Sequence, residues 1–420
     1  MSKIKVVISC PIDTYSGYGA RSRDLVKALL KSDKYDVKIL AQRWGNTRFG
    51  YLNDHNESEL ASLVIPQLTA KPQVWMQVTV PNEFQPVGEY NIGVTAGIET
   101  TICDPSWIEG LNRMNLNLVS SNHAKETFER SQFNVEENGQ VKGQISLQKP
   151  VEVLFEGADL EKYFPTTSNF DLSGIQEDFA FLFVGHWLQG DFGQDRKNVG
   201  YMIKAFLEVF KNKKKQPALI LKTQSANASI LDRDTILKKV DDIRSTVKGN
   251  LPNIYIIHGE TSDSDINELY NHPKVKAMVS FTKGEGFGRP LLEFSLINKP
   301  IIASKWSGHI DFLDKDFTVL VSGQLTNVHR SAAAKNMILT ESQWFTPHDA
   351  QAGAALRDVF ENYKKYAELA KRQGYKSRTN FSWEKMAERL DEILSTNVPK
   401  FAEEVKLQMP KLTLPKLQKI

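Results

Sequence analysis

Residues 284–294 read G-E-G-F-G-R-P-L-L-E-F and follow the apolar run A-M-V-S-F-T, with Lys283 between the two. The stretch places Glu285 and Glu293 eight residues apart, with glycines and a proline between them. The apolar run predicts the end of a β-strand and K-G-E-G-F-G a tight loop. Arg289 and Pro290 then begin a helix, because proline is favoured in the first helical turn. We therefore expect Glu285 in the loop and Glu293 about one turn inside the helix.

This strand-loop-helix unit has the features of a phosphate and sugar site. Glycines let backbone amides approach a ligand closely, and a helix start favours an anion such as a diphosphate. A carboxylate just inside the helix can accept hydrogen bonds from ribose hydroxyls. A second interpretation stays open, in which Glu285 is a loop charge and Glu293 only favours the helix dipole.

The whole chain alternates short β-branched runs with amphipathic helical stretches, which predicts α/β layers with parallel sheets. One series runs from K-I-K-V-V-I-S-C to V-E-V-L-F, and a second begins at F-A-F-L-F-V-G. Between them, residues 164–178 are polar and rich in Pro, Gly and Ser, as in a linker. We expect two Rossmann-like domains, residues 1–168 and 176–380, facing each other across a cleft. Ligands of such sheets bind beyond the carboxyl ends of the strands.

The C-terminal part predicts one more helix and a tail. F-S-W-E-K-M-A-E-R-L-D-E-I-L favours a closing helix over residues 381–396, capped by Ser382. Residues 397–420 alternate Lys with apolar residues and contain three prolines. This basic tail is either an extended arm or a frayed end.

Composition excludes several classes of protein. The 420 residues are 41% hydrophobic and 25% charged, as in a globular protein, and contain no run of about 18 apolar residues that would span a membrane. Two cysteines are too few for a disulfide scaffold, and the short apolar start does not resemble a signal peptide, so we expect a cytoplasmic protein. Residues 1–50 hold ten Lys and Arg against four Asp and Glu. This basic start is either a polyanion patch or a solvated surface.

The stretch G-E-G-F-G-R-P-L-L-E resembles the E-x7-E signature of retaining glycosyltransferases of the GT-B fold, particularly glycosyltransferase family 4. Other segments follow in the order of that family. S-G-Y-G-A-R-S-R-D-L resembles its N-terminal glycine loop, L-V-S-S-N-H-A-K-E-T-F its Val-Pro-Ser segment, F-E-G-A-D-L-E-K-Y-F-P its N-G-V-D-x-x-x-F-x-P, D-R-K-N-V its basic pair, and W-S-G-H-I-D-F-L its Gly-Gly-x-x-Glu. The resemblance runs from residue 3 to about residue 395.

The resemblance implies roles for individual residues. Glu285 would contact and position the donor sugar, and Lys197, with Arg196, would neutralise the departing diphosphate. Binding of the donor, a nucleotide diphosphate sugar with a UDP-sugar favoured, is implied for Glu293, Arg196, Gly286, Phe287, Gly288, Arg289, His186, Lys222, Gly17 and Gly19. The two N-terminal glycines would let their loop approach the sugar phosphate, although a lone G-x-G motif is weak evidence for such a site. Arg196 and Lys197 also fit a solvated helix start.

Three positions depart from the family pattern. His186 stands where the family often has an arginine, so His186 or Lys222 would replace that phosphate contact. Glu156 replaces an asparagine, and Glu99 takes a position near the acceptor that is often histidine. The D-S-D at residues 263–265 matches a metal-binding motif of other glycosyltransferases, but Ser and Asp before an amphipathic run also begin an ordinary helix. We expect no metal and no cofactor beyond the donor.

The acceptor is predicted from the segment A-Q-R-W-G-N-T-R-F-G-Y, which interleaves Arg43, Trp44 and Arg48. Basic residues among aromatic ones suit phosphate contacts with base stacking. Together with Arg21 and Arg23 they would form a basic entrance, unless the aromatic residues only anchor the loop. The chain also resembles glycosyltransferases of tailed phages, some of which modify hydroxymethylated bases, so a DNA base is the favoured acceptor.

The predicted reaction moves a sugar to a hydroxyl with retention of the anomeric configuration. Double displacement needs a nucleophilic carboxylate on the far face of the sugar, and the resemblance instead implies attack on the face that the diphosphate leaves. Two alternatives remain. The acceptor could be a polysaccharide, lipid or protein, or the chain could be a non-catalytic module that binds nucleic acid or sugar nucleotides.

Overall fold

Two six-stranded parallel sheets organise the chain in a computed structural model, which describes residues 3–225 and 228–402. The N-terminal sheet has the strand order β2-β1-β3-β4-β5-β8, and the C-terminal sheet has the order β11-β10-β9-β12-β13-β14. All neighbouring strands within each sheet pair in parallel. The predicted α/β class with two facing domains is confirmed.

The N-terminal domain contains the first eight strands and five helices. The strands are β1 Ile4–Cys10, β2 Tyr35–Ala41, β3 Val74–Val78, β4 Tyr90–Thr95, β5 Leu116–Val119, β6 Phe133–Glu137, β7 Gln140–Ile145 and β8 Val151–Val153. The helices are α1 Gly17–Lys31, α2 Tyr51–Asp54, α3 Ser58–Ser62, α4 Pro105–Arg113 and α5 Asn122–Arg130. A short 3-10 turn covers Pro81–Glu83.

The C-terminal domain contains the other eight strands and most of the remaining helices. The strands are β9 Ala180–His186, β10 Ala218–Gln224, β11 Ile254–Ile257, β12 Val275–Ser280, β13 Ile301–Ser304, β14 Val319–Val321, β15 Gly323–Asn327 and β16 Gln343–Pro347. The helices are α6 Val199–Phe210, α7 Ile230–Ser245, α8 Asp263–Asn271, α9 Arg289–Ser295, α10 Asp349–Glu361, α11 Tyr363–Asn380 and α12 Trp383–Asn397. A second 3-10 turn covers Gly308–Asp311.

The last helix, α12, returns to the N-terminal domain. Its apolar residues Met386, Leu390 and Ile393 are buried in the same core as Leu25 and Leu29 of α1. The Ser382 side chain accepts the amide of Lys385, which confirms the predicted cap. The chain thus crosses between the domains twice.

The two domains are in contact across the cleft. Bonds between them include Arg289 to Asp24 at 2.7 Å, Arg48 to Glu260 at 2.8 Å, and the amide of Asn122 to Asp311 at 2.8 Å. Each joins an N-terminal residue to a C-terminal one, so the structure is that of a closed cleft.

Sequence patterns missed two hairpins and misplaced one segment. Strands β6 and β7 pair antiparallel, as do β15 and β16, and neither pair was expected. The prediction that Gly17 and Gly19 lie in a loop is wrong, because both residues lie in the first turn of α1, which Ser16 caps. Most of the predicted tail, residues 403–420, lies outside the described residues. No helix in the described part of the chain has both the length and the apolarity that crossing a bilayer requires.

Arg21 offers a test of how the N-terminal domain is held together. Its guanidinium is buried and donates to the carbonyls of Leu154 and Phe155, at the end of the domain. We predict that Arg21→Met lowers the free energy of unfolding by about 3 kcal/mol, because two buried carbonyls lose a charged donor. Urea denaturation measures the change. Arg43→Met, at an exposed arginine, is the matched control and should change it by less than about 0.5 kcal/mol; equal effects would contradict the buried role.

Candidate active site

The loop before α9 has the predicted shape. Gly288 precedes the helix with φ of +99°, a left-handed backbone conformation that favours glycine, and Pro290 lies in the first turn. Glu285 therefore lies in the loop and Glu293 lies inside the helix, as the spacing predicted. Both carboxylates are buried, with 6% and 7% of their surface exposed. Two buried carboxylates need partners, since a buried unpaired charge is costly.

Glu285 is held by the two basic residues that precede α6. The Nζ of Lys197 lies 2.6 Å from Glu285 Oε1, and the Nη1 of Arg196 lies 3.3 Å from Oε2. Burial alone would raise the pKa of Glu285, but the charges of Lys197 and Arg196 outweigh it and hold that pKa at about 2. Glu285 is therefore ionised at neutral pH, and the structure brings together three residues that were predicted as site residues.

Glu99 reaches the same cluster from the N-terminal wall of the cleft. Its Oε1 lies 3.6 Å from Arg196 Nη1. The backbones approach closely here, because a Cβ on Gly284 would lie 2.0 Å from the Glu99 carbonyl oxygen. Gly286 likewise lies against the carbonyl of Ala96. Glycine at position 284 thus allows the loop before α9 to contact the loop after β4.

Glu293 belongs to a second buried cluster around Arg289. Arg289 Nε donates to Glu293 Oε1 at 3.2 Å, while Nη1 lies 2.7 Å from Asp24 and 3.7 Å from Glu156. Burial raises the pKa of Glu293 to about 7; the charge of Arg289 lowers that pKa but does not offset burial, and the nearby charge of Asp263 adds to the rise. One guanidinium therefore serves three carboxylates.

A cavity of ≈ 550 Å³ opens in the cleft beside Glu293. Tyr15, Gly17 and Tyr51 line it from the N-terminal domain, and Thr261, Arg289 and Glu293 from the C-terminal domain. A second cavity, of only ≈ 10 Å³, adjoins Lys197 and Glu285 within the C-terminal domain. Of these two cavities, only the one beside Glu293 has room for a ligand the size of a nucleoside.

Several predicted donor residues do not reach this site. Phe287 is buried in the C-terminal core, where its ring lies 5.0 Å from that of Phe312. Lys222 donates to the carbonyl of Gly259. His186 is exposed at the end of β9, and its Nδ1 donates to the Ser225 carbonyl at 3.0 Å. The ring of Phe287 is thus used in core packing, and the donor role of this residue stays a prediction.

The predicted basic entrance is not assembled as one surface. Arg21 is internal, Arg23 donates to the carbonyls of Ile12 and Thr14, and Arg48 pairs with both Asp54 and Glu260. Arg43 is exposed. The ring of Trp44 stacks on Tyr18 at 3.9 Å. Protein acceptors thus satisfy three of the four arginines, which corrects the expectation of a free basic entrance.

Asp24 and Glu156 were not predicted as site residues. Asp24 follows the run R-S-R on α1, and its approach to Arg289, 265 residues away in sequence, has no local signal. The two aspartates of the D-S-D motif have protein partners. Asp265 completes a capping box with Ser262, and Asp263 pairs with Lys162 at 2.8 Å.

Comparison with known proteins places the fold. No protein-family model and no curated protein matches this chain. Solved structures do match: a glycosyltransferase from Rickettsia africae (12% identity, 94% of this chain, 99% of that chain, TM-score 0.63), sucrose-phosphate synthase from Thermosynechococcus elongatus (11%, 94%, 99%, 0.61), and HepE from Anabaena in complex with UDP-glucose (12%, 94%, 100%, 0.61). At this identity the likeness concerns the fold alone. The chain has the GT-B fold of two facing Rossmann-like domains.

The raised pKa of Glu293 predicts a pH-dependent stability. Between about pH 4.5 and 7 the folded state keeps a proton that the unfolded state has released, so stability falls as pH rises through this range. Glu293→Gln removes this titration. Between pH 5 and pH 7.5 the free energy of unfolding of the wild type should therefore fall by up to about 3 kcal/mol more than that of the variant. Urea denaturation across this range measures both proteins. The same pH dependence of the free energy of unfolding in both proteins would contradict the raised pKa of Glu293.

Proposed function

We propose that this chain is a retaining glycosyltransferase that moves a sugar from a UDP-sugar to a hydroxyl without a metal ion. The observation that carries the proposal is the buried cluster of Glu285, Lys197 and Arg196 in the closed cleft of a GT-B fold. The HepE structures that match this chain hold UDP and UDP-glucose, which favours UDP as the donor nucleotide.

The donor would extend from the cavity to the Glu285 cluster. The nucleoside fits the ≈ 550 Å³ cavity, with its ribose hydroxyls at Glu293. The diphosphate then lies between the start of α1, where Gly17 borders the cavity, and the cations Lys197 and Arg196. First-turn amides of a helix have no intrahelical acceptor and favour an anion. Glu285, ionised in the folded protein, accepts hydrogen bonds from hydroxyls of the sugar and orients it.

The transfer step needs stabilised charge more than a nucleophile from the protein. The C1–O bond to the diphosphate breaks, the acceptor oxygen bonds to C1 on the same face, and the acceptor proton passes to the leaving phosphate oxygen. Lys197 and Arg196 stabilise the charge that develops on the diphosphate. Glu99, on the opposite wall, binds the acceptor hydroxyl near the reacting carbon.

The closed cleft also implies a conformational cycle. Ion pairs between the domains cover this site, from Arg196 to Glu99 and from Arg289 to Asp24, so we expect the domains to part for the donor to enter. Closure over the bound donor then excludes water, which would otherwise compete with the acceptor.

A DNA base as acceptor has less support than the transfer itself. Arg43 is exposed near the stacked Trp44, but Arg21, Arg23 and Arg48 already have protein partners. Release of UDP in the presence of hydroxymethylated oligonucleotides, oligosaccharides, lipids or proteins separates these acceptors. UDP binding with no turnover on any acceptor would favour the non-catalytic binding module.

The catalytic roles predict the effect of single substitutions. Glu285→Gln and Lys197→Met should each lower kcat by about 10²–10³-fold, since each removes a group that acts on the reacting sugar or the leaving diphosphate. Steady-state release of UDP measures the loss. Lys204→Met is the matched control, because Lys204 lies on α6 outside the cleft, over the ring of Phe192. Unchanged kcat in the first two variants would contradict the assignment.

Retention and metal independence predict two further observations. Activity should persist in excess EDTA, because Lys197 and Arg196 supply the positive charge that a metal would otherwise provide. The product should keep the anomeric configuration of the donor, which ¹H NMR of the new linkage measures. Loss of activity in EDTA with recovery on adding Mg²⁺, or an inverted product, would contradict the proposed mechanism.

A further inference from the structure

A β-hairpin of the C-terminal domain extends to the N-terminal domain, and we call residues 323–347 the bridging hairpin. It consists of β15, β16 and their connecting loop, with the strands paired antiparallel. The loop is packed, because Val328, Ala332 and Trp344 form a small core that also contacts Trp306. The bridging hairpin is therefore an ordered element rather than a loose connection.

The bridging hairpin is bonded to the loop that carries Glu285. The amide of Phe345 donates to the Lys283 carbonyl at 2.9 Å, and Lys283 Nζ donates to Thr346 Oγ1 at 2.9 Å. The amide of Lys283 in turn donates to the Arg196 carbonyl at 2.8 Å. A displacement of β16 thus acts directly on the backbone that positions the buried ion cluster.

The other side of the bridging hairpin is bonded to the N-terminal domain. The amide of Thr101 donates to the Gln343 carbonyl at 2.9 Å, and the Gln343 amide donates to Thr101 Oγ1 at 2.9 Å. Farther along, Trp107 Nε1 donates to the Asn336 carbonyl at 2.7 Å. Thr101 follows Glu99 by two residues, so these bonds close the cleft beside the wall assigned to the acceptor.

Aromatic ring contacts also join the bridging hairpin to both domains. Trp306 of the C-terminal domain stacks on Phe345 of the bridging hairpin, with ring centroids 6.3 Å apart and planes within 9°. The ring of His123, on the N-terminal helix α5, meets Trp306 edge-on at 4.6 Å. The ring contacts and the hydrogen bonds therefore lie along one boundary between the domains.

We propose that the bridging hairpin is the acceptor gate of the transferase, an inference that rests on the proposed function. No residue of the bridging hairpin lines the ≈ 550 Å³ cavity assigned to the nucleoside, so the gate lies apart from the nucleoside subsite. An acceptor reaches Glu285 only when Thr101 and Trp107 release the bridging hairpin. Re-formed bonds then exclude water from the bound sugar.

Two substitutions weaken the gate without touching the ion cluster. Thr101→Val removes the hydroxyl that accepts the Gln343 amide, and Trp107→Phe removes the donor to Asn336. Each should raise hydrolysis of UDP-glucose in the absence of acceptor about fivefold, the effect of one hydrogen bond. In this side reaction water attacks C1 as the bond to UDP breaks. Thr340→Val is the matched control, because Thr340 is an exposed threonine of the same bridging hairpin.

Three measurements separate the possible outcomes. Hydrogen exchange of the bridging hairpin should accelerate in both variants and not in the control, hydrolysis should rise with it, and the Kd of UDP should stay within about twofold of wild type. If the wild type binds UDP but hydrogen exchange of the bridging hairpin is unchanged in both variants, the gate alone is overturned. Faster exchange in the variants with unchanged hydrolysis of UDP-glucose would also overturn the gate alone. Failure of the wild type to bind UDP would overturn the proposed function and the gate together.

Discussion

The structure of the cleft depends on one buried ion cluster, in which Lys197 and Arg196 hold the carboxylate of Glu285. Removing the Glu285 carboxylate would leave Lys197 buried without its bonded partner, which is strongly destabilising. The cluster joins two loops of the C-terminal domain, and Arg196 extends it to Glu99 of the N-terminal domain. The groups assigned to catalysis therefore also hold the cleft closed, so closure and charge placement cannot vary independently.

The two carboxylates of the E-x7-E signature have opposite electrostatic surroundings. Glu285 faces two cations, which hold its pKa at about 2, while Glu293 shares Arg289 with Asp24 and Glu156, and burial raises its pKa to about 7. Environments that push the pKa values of two nearby acids apart assign them different roles. An always-ionised Glu285 suits the positioning of a sugar, whereas Glu293 can accept or donate a hydrogen bond at a ribose hydroxyl.

The sequence predicted most strands of the two parallel sheets, the two-domain division and the E-x7-E geometry, because these depend on local period and on glycine and proline. It could not predict which charges become partners: Asp24 and Arg289 are 265 residues apart. Arg21 was expected at a surface because it is charged. Its helical spacing to Leu25 and Leu29, both buried, indicates instead that it lies on the buried face of α1. The bridging hairpin was missed because β15 and β16 are short and joined by a long loop.

Parting the domains would change the charge of the C-terminal wall. Glu99 would leave Arg196, and Asp24 and Glu156 would leave Arg289, since all three carboxylates belong to the N-terminal domain. Arg196 and Arg289 would then lack these partners, close to Lys197 and to the start of α9. Arginine side chains favour phosphate groups. In the proposed reaction the N-terminal carboxylates would therefore compete with the donor diphosphate for Arg196 and Arg289, and opening the cleft would release both arginines from these partners.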